Sequence, residues 1–143
     1  MELRRFLFFG VAGRLCACDL EAVREIVPAR AATRLPGAPE WVRGLINLRG
    51  TLVTVVDLAV RLQAARDGAF ARSIIVAEAE GKALGMAVDD VRDVQALGAG
   101  SLETVDVQRA AGGIVGGLAH AADGRQAALI VDVAEIVRQA LVT

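Results

Sequence analysis

The sequence predicts an all-β protein with a few short helices, built as two small barrels of about five strands each packed side by side. Three observations predict it. Gly13, Gly50, Gly81 and Gly124 fall between runs rich in Val, Ile, Leu and Phe, the punctuation of hairpins whose tight turns need positive φ. The apolar runs are short and closely spaced, and a small closed sheet hides its edges. The chain also repeats itself. Residues 6–27, "FLFFGVAGRLCACDLEAVREIV", and 73–94, "SIIVAEAEGKALGMAVDDVRDV", share one order: apolar strand, Gly-Arg or Gly-Lys turn, second strand, acidic residue, then Val-Arg-Glu-Ile or Val-Arg-Asp-Val. "GLINLRGTLVTVVDLAVRL" from Gly44 and "GLAHAADGRQAALIVDVAEIV" from Gly117 then both run strand, glycine turn, strand, aspartate, short helix.

The elements follow in order. The 143 residues suit one domain, with a first half-barrel over 1–65, a linker over 64–72, a second half-barrel over 73–131 and a C-terminal helix over 132–141. Phe6, Phe8 and Phe9 sit together in the first strand as core or subdomain contact. Cys16 and Cys18, two apart on one strand face, are badly placed for a mutual disulfide and read as small core residues. Helices are expected over 19–26 ("DLEAVREI"), over 57–65 ("DLAVRLQAA") and from Asp132 ("DVAEIVRQAL"), each opened by an aspartate able to cap it. Asp57 and Asp132 are therefore structural helix caps. Pro36 and Pro39 hold the chain extended before the central hairpin, and Trp41 covers one end of a barrel. "AARDGAFAR" (64–72), small and polar, joins the halves.

Composition excludes several function classes. Hydrophobic residues make up 55% of the chain and mean hydropathy is +0.48. Charges nevertheless interrupt every stretch before the roughly 18 apolar residues that a membrane helix needs. "MELRRFLFFGVAGRL" meets glycine and arginine too early for an export leader, so a cytoplasmic location is expected. A net charge of −1 and 3% aromatics supply neither the positive field nor the stacking platform that nucleic acid requires. His120 is the sole histidine and no second thiol pair exists, so neither a metal site nor a cofactor is expected. A hydrolytic triad has no candidates, "GGIVGG" and "LGAGS" lack a following Gly-Lys-Ser/Thr, and adjacent Asp89 and Asp90 point to opposite strand faces. What remains is a rigid scaffold without a reactive centre, whose inter-barrel groove can bind other proteins: apolar contact gives affinity, and rim charges choose the partner. The alternative from another class is a small enzyme with Cys16 or Cys18 as nucleophile, which requires a thiolate of depressed pKa.

"VRGLINLRGTLVTVVDL" (42–58), preceded by "AVREIVPARAATRLPGAPEW" and followed by "GMAVDDVRDV", resembles the family of the bacterial chemotaxis coupling protein CheW over essentially the whole chain. The most specific part is the G-x-x-N-L-R-G-x-x-x-x-x-V-D-L pattern. The family commonly carries proline in the strand after "NLRG", where this chain has Thr54. The resemblance implies two five-stranded SH3-like barrels and a non-enzymatic adaptor. Its partners would be the cytoplasmic tips of chemoreceptors and the regulatory domain of a CheA-type histidine kinase, without nucleic acid or direct membrane insertion, and it would be recruited to membrane-associated receptor arrays. A variant reading keeps the adaptor role in a chemosensory-like pathway for pilus or gliding motility or development. Carried over position by position, Val23, Glu25, Gly44, Arg49, Val91 and Val94 match residues implicated in partner binding. Each has a structural counterpart reading. Arg49 solvates a tight turn or pairs with Glu25, the valines pack in a core, and Gly44 serves its backbone angles.

Overall fold

Residues 2–63, 71–104 and 111–141 are described by the structure, a computed structural model, and they form eleven strands and two α-helices. The first half supplies β1 (Arg4–Val11), β2 (Arg14–Asp19), β3 (Val23–Pro28), β4 (Val42–Leu48), β5 (Thr51–Asp57) and α1 (Leu58–Arg61). The second supplies β6 (Ser73–Ala79), β7 (Lys82–Val88), β8 (Asp90–Leu97), β9 (Leu102–Thr104), β10 (Val115–His120), β11 (Ala127–Val131) and α2 (Val133–Ala140). No helix among the described residues is long and apolar enough to cross a membrane.

Turn chemistry sets the hairpins. At β1–β2, β4–β5 and β6–β7 the two turn residues both have positive φ: Ala12 and Gly13 at 48° and 82°, Arg49 and Gly50 at 52° and 86°, Glu80 and Gly81 at 54° and 75°. These two-residue turns twist with the strands, and glycine at the second position adopts the left-handed angle without a Cβ clash. The β10–β11 connection is longer and carries Gly124 at φ 71°.

The strands sort into two sheets, β8-β1-β2-β11-β10-β9 and β3-β6-β7-β5-β4. This corrects the division into a half-barrel over 1–65 and another over 73–131, because each half lends its first hairpin to the other. Hairpin β1–β2 lies between β8 and β11, pairing parallel with β11 (Cys16↔Leu129), and β6–β7 lies between β3 and β5, pairing parallel with β5 (Thr54↔Leu84). Repeated hydrophobic alternation fits either copy's sheet equally well, so periodicity cannot assign the hairpin to a partner. One sheet also has six strands, β9 being the addition; in the other, an isolated Thr33↔Leu45 bridge occupies the corresponding edge.

Three cores result. Phe6, Phe8, Ala17, Leu97, Ala119 and Ala128 fill the first curled sheet, and Val27, Ile46, Leu48, Val53, Ile74 and Val76 fill the second. Between the sheets lies a third, with Leu7, Phe9, Cys16, Cys18, Val56, Ile75, Leu84, Met86 and Ile136. Alternate residues of β1 and β6 thus face a barrel interior and the shared core, which is why "FLFF" and "SIIVA" are apolar throughout instead of alternating.

The helix expected over 19–26 is replaced by a single 3-10 turn, Leu20–Ala22, followed by β3. Asp19 still caps that turn, its side chain accepting from Glu21 N at 2.9 Å. Val23, Ile26 and Val27 are β-branched and pair with β6, and sheet packing overrides a short helical period. Asp57 and Asp132 cap α1 and α2 as expected, Asp57 accepting from Ala59 N and Val60 N and Asp132 from Glu135 N at 3.1 Å. Helix α1 ends at Arg61, short of 65, and most of the expected linker (64–70) lies outside the described residues. Trp41 does not cover a barrel end; it packs against the shared core, with the Arg61 guanidinium 4.9 Å above its ring centroid.

Candidate functional site

Two expected site residues meet. Arg49 occupies the first turn position of the β4–β5 hairpin, and its guanidinium donates to the carboxylate of Glu25 on edge strand β3. The hydrogen bond and the opposite charge together raise the Arg49 pKa above its ordinary value. The surrounding motif explains this presentation: Leu48 is buried in a barrel core, the Asn47 side chain accepts from Gly50 N at 2.8 Å, and Arg49 is left 69% exposed at the tip. Both readings of Arg49 therefore share one geometry, a solvated ion pair on a rigid turn.

Gly44 meets a backbone requirement. Its φ is 137°, and an added Cβ would drive into the carbonyl of Thr33, where Thr33 and Leu45 exchange hydrogen bonds of 2.7 and 2.8 Å. Gly117 stands likewise against the carbonyl of Glu103 on β9.

Val91 and Val94 lie on β8, an edge of the other sheet, and are not on the strands that bear Glu25 and Arg49. Val23 and Val91 are half-buried against the shared core, whereas Val94 is 47% exposed. Aligning "AVREIV" with "DVRDVQ" pairs Val23 with Val91 and Ile26 with Val94. Ile26 is 44% exposed, so the edge strands of the two sheets each show one open aliphatic residue at an equivalent position. Sequence reasoning missed Ile26, although the internal alignment carried the signal.

Arg43 was also missed. It sits at a bulge between Val42 and Gly44, and its Nε and Nη2 donate to Asp57 Oδ2 at 3.1 and 2.9 Å. Asp57, only 8% exposed, gives Oδ1 to the α1 amides. Its capping role thus comes with a charge partner inside the same motif.

Where the sheets meet, a cavity of about 560 Å³ opens between β1, β9, β11, the 3-10 turn and the start of α2. Among the described residues Asp19, Glu21, Glu78, Glu103 and Asp132 line it together with one arginine, Arg4, which is paired with Asp19. The cysteine-nucleophile alternative is contradicted: both thiols are buried in the shared core, and burial pushes each up to about 12 instead of depressing it.

Comparison with known proteins agrees with this architecture. The chemotaxis protein CheW of Rhizobium meliloti is 37% identical over 92 residues, covering 64% of this chain and 59% of that protein. That of Thermotoga maritima is 31% identical over 101 residues, 71% of this chain and 67% of that protein. The chain thus spans roughly three fifths to two thirds of these relatives' length. The crystal structure of the scaffolding protein TtCheW from Thermoanaerobacter tengcongensis superposes with a TM-score of 0.81 at 28% identity, covering 94% of this chain and 87% of that one. The sequence profile of the CheW-like domain matches residues 5–141, and the chain belongs to that family.

Proposed function

We propose that the protein is a non-enzymatic adaptor that couples chemoreceptors to a CheA-type histidine kinase. It works in the cytoplasm at membrane-associated receptor arrays. The observation that carries this reading is the family match over residues 5–141. The geometry supports it in detail: two sheet edges with open aliphatic residues, Ile26 and Val94, and a rigid turn that holds Arg49 against Glu25 at the surface. Such surfaces bind other polypeptides through apolar contact, with charge selecting the partner and its register. A scaffold touching receptor and kinase together transmits a receptor change as a shift in the kinase's equilibrium, provided its contacts differ between the two states.

The test is a pull-down from the native cell with the tagged full chain. A histidine kinase and a chemoreceptor recovered together support the reading, and the receptor recovered assigns the pathway as flagellar or as pilus, gliding or developmental. Arg49→Glu should lose that recovery while its thermal unfolding stays near wild type, because Arg49 is exposed. Undiminished recovery by Arg49→Glu removes Arg49 from the interface, and recovery of neither partner by the wild type refutes the adaptor role.

A further inference from the structure

The two copies of the internal repeat differ at one bulge, and in the second copy the bulge residue lines the 560 Å³ cavity. In the first copy the bulge residue is Arg43, whose guanidinium neutralises the cap carboxylate of Asp57. The β10–β11 ladder has the same bulge between Val115 and Gly117. In the backbone Asp132 stands there as Asp57 does, its amide donating to Ile114 O at 2.7 Å as that of Asp57 donates to Trp41 O at 2.7 Å, but its side chain is exposed where that of Asp57 is buried. The bulge residue, however, is Gly116, and among the described residues no basic side chain reaches Asp132. The space is open, since a Cβ added at Gly116 would meet only Asp132 Cβ at 3.9 Å.

We propose that this cavity is a docking site for an arginine side chain of a partner protein. The incoming guanidinium takes on Asp132 the place that Arg43 takes on Asp57. The internal copy supplies the template for the chemistry. Asp132 Oδ1 is occupied by Glu135 N, as Asp57 Oδ1 is by its helix amides, which leaves Oδ2, the atom that receives two donors of one guanidinium in the first copy. A planar fork meets that geometry, and an ammonium does not reproduce its fixed pair of donors. Charge complementarity points the same way: among the described residues the cavity is lined by five carboxylates and one arginine, and after the Arg4–Asp19 and Arg24–Glu78 pairs Asp132, Glu21 and Glu103 remain without an arginine. Among the described residues no three His, Cys, Asp or Glu side chains are disposed to hold a metal ion, which sets a divalent cation aside. The site is built on β10, β11 and the first turn of α2, not on Glu25, Arg49 or β8, so it stands independently of the adaptor reading.

Two measurements on the full chain test it. The first supplies the arginine in cis: Gly116→Arg should raise the melting temperature by about 3 °C, and the gain should vanish in Gly116→Arg/Asp132→Asn. The second titrates the peptide acetyl-Gly-Gly-Arg-Gly-Gly-amide into ¹⁵N-labelled protein, with lysine and citrulline peptides in parallel. The arginine peptide should shift the amides of Gly116, Asp132, Val133 and Glu135 saturably. Asp132→Asn should weaken its binding at least fivefold, and Gly116→Arg should abolish the shifts. The peptide arm does not depend on the folding of Gly116→Arg, because Asp132→Asn keeps a cap acceptor. An equal response to the lysine or citrulline peptide, or wild-type binding by Asp132→Asn, overturns the proposal.

Discussion

Asp57 and Asp132 occupy equivalent places in the two repeats, yet among the described residues only Asp57 has an arginine, so truncating each isolates what the arginine contributes. Asp57→Ala removes the α1 cap, which costs about 1 kcal/mol, and the charge-assisted hydrogen bonds from Arg43, which are worth about 1.5–3 kcal/mol. Arg43 is one third exposed and rehydrates when its partner is lost, which discounts its share to about 1–2 kcal/mol, and the total comes to about 2–3 kcal/mol. With an unfolding entropy near 2.1 cal/mol/K per residue, a chain of this length loses about 3 °C per kcal/mol, and Asp57→Ala should melt about 6–9 °C below wild type. Asp132→Ala loses only a cap on an exposed helix start and should melt about 3 °C lower. Asp57→Asn keeps a cap acceptor and should fall between. Urea unfolding at constant m, followed by Trp41 fluorescence, gives the free energies directly. Equal losses for Asp57→Ala and Asp132→Ala would refute the claim that Arg43 stabilises the first repeat, as would a wild-type Asp57→Asn.

Three further predictions follow from the geometry. Gly44→Ala must move the Thr33 carbonyl and hold alanine at φ 137°, so it should cost about 3 kcal/mol or abolish folding; a loss below about 1 kcal/mol would show that the edge yields freely. Burial pushes the Cys16 and Cys18 thiols up to about 12 from an ordinary value near 9. Their neutral form stabilises the fold fully below pH 9, and that stability declines as pH rises towards 12, by about 1.4 kcal/mol per pH unit per thiol. Urea midpoints at pH 8, 9 and 10 should therefore fall more steeply in wild type than in Cys16→Ala/Cys18→Ala, and parallel slopes would show that the thiols are not the cause. Ile26→Lys and Val94→Lys, on exposed sites, should change stability by less than about 0.5 kcal/mol while reducing kinase or receptor recovery; unaltered recovery removes those edges from the binding surface.

Local rules carried the hairpins, the three caps and the C-terminal helix, because each depends on residues within a few positions: glycine at a left-handed turn, aspartate ahead of a helical period. The helix expected over 19–26 gives way to strand from Val23 onward because "VREI" satisfies both periods, and only pairing with β6 decides between them. The hairpin exchange was illegible, since its two alternatives bury the same side chains. Glu25 and Arg49, named from the sequence, do meet, and the Gly44 backbone lies against the Thr33 carbonyl. Arg43 stood in the central motif unexamined. Its value depends on the β4–β5 bulge that turns it towards Asp57, and bulges leave little trace in composition.

The lending of a hairpin by each half also governs how the chain comes into being. During synthesis the β1–β2 hairpin, which carries "FLFF", precedes both of the strands that flank it, because β8 and β11 lie later in the chain. Newly made N-terminal segments must therefore wait with an oily ribbon uncovered, prone to clumping or to capture by a holding chaperone. Severed between residues 64 and 71, neither piece could shelter its interior alone, and co-expressed fragments should recover native form only by embracing each other.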